Sequence, residues 1–482
     1  MGRRRGQEPA AEISKLSTHV ARLIEAEVIG RGWPVGQTLG SERELRERYG
    51  VSQAVLREAV RLVEHRRIAR MRRGPGGGLV ICAPDAGPAI RAVITYLEFA
   101  MTSGEDVLRA RCLLEPVAAA AAARRITEDG VTELRRALEV ADCAHRFPEQ
   151  DGDPLHIQLG RLSGNPVLQL FIEVLDRLTR RHIRLSRPLS EMEIRRIGQR
   201  AHRWHVGIVD AVVAGDAAHA EIGLLEHLEE IAAWLRTQNA LGEPRPGTSP
   251  FAQLPASTMA EEVAGRIYDD IVVRALPVGQ FLGAEAELMQ KFGVSRSVLR
   301  AAVRLLEHHG VVQPRRGRLG GLTVTRPGPQ ASIDDARAYL LSRGVTLEHL
   351  RTVATVIELG VLPDVVTSRT LPAVASRLEQ LVAAMSVTSA PAEVLSGSFH
   401  REIAELAGNP VLSLFLRIID NVVQQYGLAE PSPMTNGLPP RTGRSDPRGA
   451  HRDVLDAVVA GDEGLALHRM RRHLDAEPWC RS

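Results

Sequence analysis

The fifteen residues GVSQAVLREAVRLVE, from Gly50 to Glu64, return 243 positions later as GVSRSVLRAAVRLLE, from Gly293 to Glu307. Extended back to Gly36 and Gly279, the ungapped match holds 18 identities in 29 positions. Later stretches pair as well. HIQLGRLSGNPVLQLF from His156 answers HREIAELAGNPVLSLF from His400, and HVGIVDAVVAGD from His205 answers HRDVLDAVVAGD from His451. The offset drifts from 243 to 244 to 246, as small loop insertions would cause. A chain that repeats itself at half its length is constrained to fold as two like units. The segment LGEPRPGTSPFAQLPAS, Leu241 to Ser257, is rich in Pro, Gly and Ser, lacks periodicity and reads as the linker between them.

Each half subdivides. Its first part carries short amphipathic helical patterns and then a glycine-rich turn between β-formers, RRGPGGGLVI or RRGRLGGLTVT, which predicts a two-stranded hairpin. The rest shows helical periodicity alone, broken at Gly, Asn and Pro. SGNPVL and AGNPVL read as a helix stop and a restart with Pro166 or Pro410 in the first turn. The predicted fold is mainly α, a tandem repeat of a small winged helix-turn-helix and an all-helical bundle of six or seven helices. The expected boundaries are 1–83 and 84–240 for the first unit, 241–257 for the linker, and 258–326 and 327–482 for the second unit.

At 44% apolar and 25% charged residues the composition is that of a globular protein. No apolar run reaches the ~18 residues of a membrane span. The charged start MGRRRGQEPAAEISK does not read as a secretory signal, and it lacks the Ser or Thr of a myristoylation site. The four cysteines Cys82, Cys112, Cys143 and Cys480 form no CxxC pair, which fits a reducing, cytoplasmic setting.

Charge is uneven. Residues 1–80 hold 16 Lys+Arg against 9 Asp+Glu, and residues 258–326 hold 10 against 7, so a chain of net charge +3 leaves −7 for the remainder. Positive charge gathered into two short segments is what contact with a polyanion at those segments requires. Taken as a helix started by Ser52, the repeated stretch buries Val55, Leu56, Ala59, Val60 and Val63, and presents Gln53, Arg57 and Arg61 on another face. The second copy buries Val298, Leu299, Ala302, Val303 and Leu306 and presents Arg296, Arg300 and Arg304. Before each lies an amphipathic helix closed by Gly50 or Gly293. Two helices joined by such a turn make a helix-turn-helix, whose second helix enters the major groove of DNA, where arginine can donate twice to one guanine. The wing arginines Arg72, Arg73, Arg315 and Arg316 are placed to reach phosphates or the minor groove.

The order PVGQTLGSERELRERYGVSQAVLREAV…RRGPGGGLV resembles the winged helix of the GntR family of bacterial transcription regulators, and the helical portion resembles the FCD effector domain of its FadR-like branch. The likeness covers nearly the whole chain, twice. It implies DNA contacts at Arg43, Gln53, Arg57, Arg73 and Gly74 in the first copy, and at Arg296, Arg300, Arg316 and Gly317 in the second. There are departures: Gln53 stands where the family has arginine, and Ala286 matches Arg43. Glutamine prefers adenine edges and arginine guanine edges, so the two halves are expected to read different half-sites.

The resemblance also implies a divalent metal (Zn²⁺, Ni²⁺ or similar) in each helical domain, held by three histidines and an acidic residue. The histidines are His156, His205 and His227 in the first half and His400, His451 and His473 in the second. The acidic position, four residues before the first histidine, holds Gly152 or Ser396. Asp151 or Asp153 could compensate in the first half, and Glu393 is the nearest acid in the second. The family's R..LEP helix appears as Arg111 to Pro116. Arg111 either holds the carboxylate of an organic-acid effector or pairs with Glu115 one turn on, and its counterpart is Ala354. The expectation is a cytoplasmic, nucleoid-associated regulator that represses, binds double-stranded operator DNA and a small carboxylate, and works as a monomeric pseudo-dimer or a homodimer. The other classes left open are an architectural DNA-binding protein with inert sensor domains and a metal-dependent hydrolase. The latter lacks a general base, a GxSxG elbow and a P-loop lysine.

Overall fold

The structure is a computed structural model. It describes residues 10–74, 77–144, 154–185, 190–241, 258–315, 321–386, 392–429 and 447–476. The first unit opens with α1 (Ala10–Gly30), α2 (Glu42–Tyr49) and α3 (Gln53–His65), followed by antiparallel strands β1 (Ala69–Arg72) and β2 (Gly78–Ile81). The Ser41 hydroxyl accepts from the Glu44 amide while the Glu44 carboxylate accepts from the Ser41 amide, satisfying two donors that a helix start otherwise leaves orphaned. Gly50 closes α2 at φ 63°, a left-handed turn without steric cost for glycine, and Ser52 caps α3.

Seven helices follow: α4 (Gly87–Phe99), α5 (Gly104–Arg125), α6 (Glu128–Ala144), α7 (Pro154–Leu162), α8 (Pro166–Leu185), α9 (Glu191–Val213) and α10 (Ala217–Leu241). The second winged helix comprises α11 (Met259–Val273), β3 (Phe281–Ala284), α12 (Glu285–Phe292), α13 (Arg296–His308), β4 (Val312–Arg315) and β5 (Gly321–Val324). Its helices are α14 (Gln330–Ser342), α15 (Leu347–Ser368), α16 (Pro372–Ser386), α17 (Ala392–Leu406), α18 (Pro410–Ala429), α19 (Pro447–Ala460) and α20 (Glu463–Ala476). The chain is thus mostly helical, with a winged helix and a helical bundle in tandem repeat.

One element departs from expectation. The second wing is three-stranded, in the order β3-β5-β4, whereas the matching stretch of the first copy makes a single bridge from Thr38 to Val80. Four residues are too few for alternation to betray a strand, and Phe281 in place of Thr38 exchanges one β-former for another. Ala284 replaces Ser41, so α12 keeps half of the reciprocal cap: the Glu287 carboxylate still accepts from the Ala284 amide at 2.8 Å.

The two bundles share one apolar core. Phe171 of α8 and Phe415 of α18 stack across the middle at 3.8 Å with 9° between ring planes. The GNP motifs explain themselves there. Asn165 Oδ1 accepts from the Val167 amide and starts α8, while its Nδ2 donates to the His349 carbonyl in the other half. Asn409 does the same for α18, and its Nδ2 donates to the Asp106 carbonyl. Each asparagine therefore caps its own helix and ties it to the partner half, a pseudo-twofold relation inside one chain.

The winged helices dock crosswise. The first leans on α14 of the second half: Arg66, at the end of α3, is buried against Glu25 (3.1 Å), Asp334 (3.3 Å) and Asp335 (3.0 Å), and Ala338 joins its core. The second leans on α4 of the first half, where Arg91 meets Glu261 at 3.1 Å and Tyr268 donates to Glu98 at 2.6 Å. Ser332 of α14 donates to the Ala92 carbonyl of α4, so the two docking helices also touch each other.

Two outcomes follow from these junctions. Removing one partner of a buried ion cluster strands the others, so Arg66→Ala should destabilise the protein by about 3–5 kcal/mol in denaturant unfolding. At the other junction burial raises the Glu98 carboxyl to about 7, against the opposing pull of Arg181 and the Tyr268 hydroxyl, and burial raises neighbouring Asp269 to about 6. Carboxyls raised on folding stabilise fully below their unfolded value, and that contribution is lost as pH rises through 6 to 7. Hydrogen-exchange protection of α11 should fall between pH 5 and 8, and Glu98→Gln should flatten most of that fall.

Candidate DNA-reading heads and histidine centres

In both heads the side chains expected to meet DNA are exposed and preset. Gln53 opens α3 and donates from Nε2 to Glu42 Oε1 at 2.9 Å, and Arg57 Nε donates to the same oxygen at 3.2 Å. In the second head Glu285 plays the part of Glu42, taking Arg300 at 2.8 and 3.3 Å and lying 3.6 Å from Arg296. The Arg57 and Arg300 side chains stay about three-fifths exposed, at 60% and 59%. The hydrogen bond from Gln53 and the charge of Arg57 hold Glu42 below the usual carboxylate range. One glutamate per head thus orients the side chains that face outward. A polyanion outcompetes such exposed pairs cheaply, because they are worth little in water.

Arg43 is exposed on α2, and Arg73 and Gly74 are exposed at the tip of the first wing. Gly74 has φ 103°, a conformation that favours glycine, and its carbonyl accepts from the Gly77 amide to close the turn. Arg316 and Gly317 lie outside the described residues. The heads also touch each other: Arg304 of α13 lies 3.6 Å from Glu58 of α3.

The structure brings each histidine trio together. His156 comes from α7, His205 from α9 and His227 from α10; His400, His451 and His473 come from α17, α19 and α20, and all six are buried. Within each trio one ring nitrogen per histidine lies within 4.8 Å of the others. His205 Nε2 and His227 Nε2 are 3.2 Å apart; in the second trio His473 Nε2 lies 3.1 Å from His400 Nε2 and 2.9 Å from His451 Nε2. Two nitrogens bound to one tetrahedral zinc stand about 3.3 Å apart, since Zn–N is about 2.0–2.1 Å. Both trios therefore fit a divalent ion.

Sequence reasoning missed the carboxylate behind each trio. Glu115 Oε2 lies 2.5 Å from His156 Nδ1, and Glu358 Oε2 lies 3.4 Å from His400 Nδ1. In the first trio an ionised Glu115 only accepts, so Nδ1 of His156 is the protonated nitrogen and its Nε2 keeps the lone pair that a metal needs; in the second, Glu358 stands at an ion-pair separation from His400. The available signal was that glutamate survives in both copies of the helix while Arg111 does not. Arg111 itself is buried, donating from Nε to Glu115 Oε1 at 2.5 Å and from Nη2 to Oε2 at 3.3 Å. Burial acts to raise Glu115, but the charges of Arg111 and His156 hold it well below the carboxylate range. Of the two readings of Arg111, the pairing with Glu115 is the one its geometry displays. Asp151, Gly152 and Asp153, and the side chains of Glu393 and Ser396, lie outside the described residues.

A third group was also not anticipated. His308, His309 and Asp335 gather where α13 meets α14, with His308 Nε2 3.1 Å from Asp335 Oδ1. Arg66 Nε donates to that same oxygen, so this carboxylate joins both heads to one helix. A guanidinium on the carboxylate makes the place a poor host for a further cation.

A paired winged helix on a bundle with histidine centres defines a class: a DNA-binding transcription regulator and not an enzyme. Comparison with known proteins agrees. The model described as bacterial regulatory proteins, gntR family, matches residues 16–78 and 259–319, and that of the FCD domain matches residues 106–230 and 350–476. The chain belongs to the gntR family of bacterial regulators, with both of its domains present twice. Relatives match one unit at a time. The HTH-type regulator RmpR of Mycobacterium gastri is 29% identical over 238 residues, 46% of this chain and 82% of its own length. The HTH-type transcriptional repressor NanR of an Enterobacter species is 27% identical over 253 residues, 50% of this chain and 92% of its own. A solved GntR protein of Streptococcus agalactiae aligns with 46% of this chain and 99% of its own, at 23% identity and a TM-score of 0.32. Among the described residues no helix is long and apolar enough to cross a membrane.

If Glu115 and Glu358 orient metal-binding histidines, Glu115→Gln should weaken metal uptake at one site by roughly 10–100-fold and leave the other unchanged, with Glu358→Gln the mirror image. Titration of Zn²⁺ or Ni²⁺ into chelator-treated, untagged protein checks this; unchanged affinities would remove the orienting role.

Proposed function

We propose that this regulator binds its operator as an internally paired dimer, one chain supplying both reading heads, and that the two heads read different half-sites. The observation that carries the reading is the pairing of unlike heads on one continuous bundle core. Gln53 and Arg57 stand in one head where Arg296 and Arg300 stand in the other. Arg43, Arg73, Gly74, Arg316 and Gly317 complete the proposed DNA contacts. Gln53 suits adenine and Arg296 guanine, so the operator departs from a palindrome at the base pair each one reaches.

The bundles act as sensors in this reading. His156, His205 and His227, and separately His400, His451 and His473, hold a divalent ion with a fourth position open to water or to an effector oxygen. A small organic acid on the first ion would sit near Arg111, which can turn part of its guanidinium from Glu115 to the new carboxylate. The second bundle, with Ala354 in that place, takes the acid less well. Occupancy shifts the population of bundle arrangements and with it the spacing of the heads, which α4 and α14 carry crosswise. Binding of this kind blocks transcription, the role that the name of the related NanR also states.

Genome-wide binding-site mapping followed by footprinting tests the reading. Gln53→Ala and Arg296→Ala should each cost about 1–3 kcal/mol in operator affinity and relax sequence preference in opposite halves of the footprint. A symmetric operator with identical losses from both substitutions would refute it.

A further inference from the structure

We propose that the second winged helix carries a small-molecule site of its own, between its reading helix and its wing, fitted to a compact zwitterion with an apolar body. A cavity of about 330 Å³ opens there between α13 and the strands β4 and β5. Leu288, Leu299, Val303 and Leu322 form its apolar wall, and Glu307 and Arg315 supply opposite charges. That volume falls at the small end of ligand pockets, about 300–1,000 Å³.

The first copy shows what the second has lost. At the matching seam Val60 is 6% exposed and Met71 packs on the head's core, whereas Val303 is only half-buried and position 314 is proline. The Met71 amide donates to Glu64 Oε1 at 2.8 Å, sealing the strand against the helix. Glu307 is the counterpart of Glu64, and Pro314 has no N–H to offer it. Glu307 thus stands half-buried beside an opening, pushed up by burial and by the charge of Glu58, with Arg304 acting against both.

The chemistry of the occupant follows from which charges are already engaged. Glu285 holds Arg300 and Glu58 lies by Arg304. Glu307, which Arg304 also faces, and Arg315 line the opening with opposite charges, one calling for an ammonium group and the other for a carboxylate. An aliphatic body would cover the leucine and valine wall. Arg300 also lines the cavity, so a guest there competes with DNA for that side chain. This site is separate from the histidine centres. Only its competition with DNA rests on the function proposed above, and binding to the free protein does not.

Calorimetry on the full chain with L-leucine tests the site, with isoamylamine and 4-methylpentanoate as probes lacking one charge. Leucine should bind the wild type, and each single-charge probe should bind at least about tenfold more weakly. Glu307→Gln should weaken leucine by a similar factor, and Pro314→Met, which restores the first copy's residue and amide donor, should abolish binding. No heat from leucine up to about 10 mM would overturn the site, as would equal affinity in wild type and both variants. Leucine that binds yet leaves the affinity for operator duplex unchanged would overturn the competition.

Discussion

Arg66 and the three carboxylates around it are the constraint on which the arrangement of the heads depends. The guanidinium is 4% exposed and bonded to Glu25 of its own head and to Asp334 and Asp335 of the opposite bundle. Taking so many charges out of water costs several kcal/mol per ion, and an apolar contact of the same volume would be at least as stable. What the cluster supplies is address. The matching positions on α4 are Arg91 and Ala92, and an arginine offered to Arg91 would be repelled. The second head instead brings Glu261 to Arg91. The two junctions differ in polarity, arginine on carboxylates at one and glutamate on arginine at the other, which favours a separate main seat for each head.

That polarity gives a physical reason for the duplication to persist as one chain. Two identical subunits must use identical junctions, so their heads stay interchangeable and their operator symmetric. Joining the copies allows the junctions to diverge, and with them the residues that meet DNA. Covalent connection makes the second half an intramolecular partner for the first, at an effective concentration on the order of millimolar for a short flexible tether. The shared core, with Phe171 stacked on Phe415 and the two asparagine caps donating across it, then needs to win only against the modest entropy of closing that loop.

Much of this was legible in the residues, for reasons that differ from element to element. The helix-turn-helix announced itself through Gly50 and Ser52, whose turning and capping roles are local and survive out of context. The histidine trios came from the resemblance to the FCD domain, and the copies support them through the 22-residue step between the last two histidines, which recurs in both halves. The crosswise docking could not be read, because Arg66 and Asp335 are 269 positions apart and neither breaks a local pattern. Glu115 was given one of its two neighbours: its pairing with Arg111, four residues earlier on the same helix, is local and stands in the structure. Only the fold reveals that α7 brings His156 onto its other oxygen.

The two bundles have not diverged in the same way as the heads. Both keep three histidines and the carboxylate behind the first of them, but only the first keeps the arginine that neutralises that carboxylate. A buried ion site is governed by its net charge as much as by its donors. With Arg111 present, the charge of a dication held there would be offset less by its surroundings, and an anionic guest would complete the balance. Where Ala354 stands, no side-chain charge at that position adds to that pull. If the trios hold a dication as proposed, divergence at this one residue separates a centre suited to anionic guests from one suited to the metal itself.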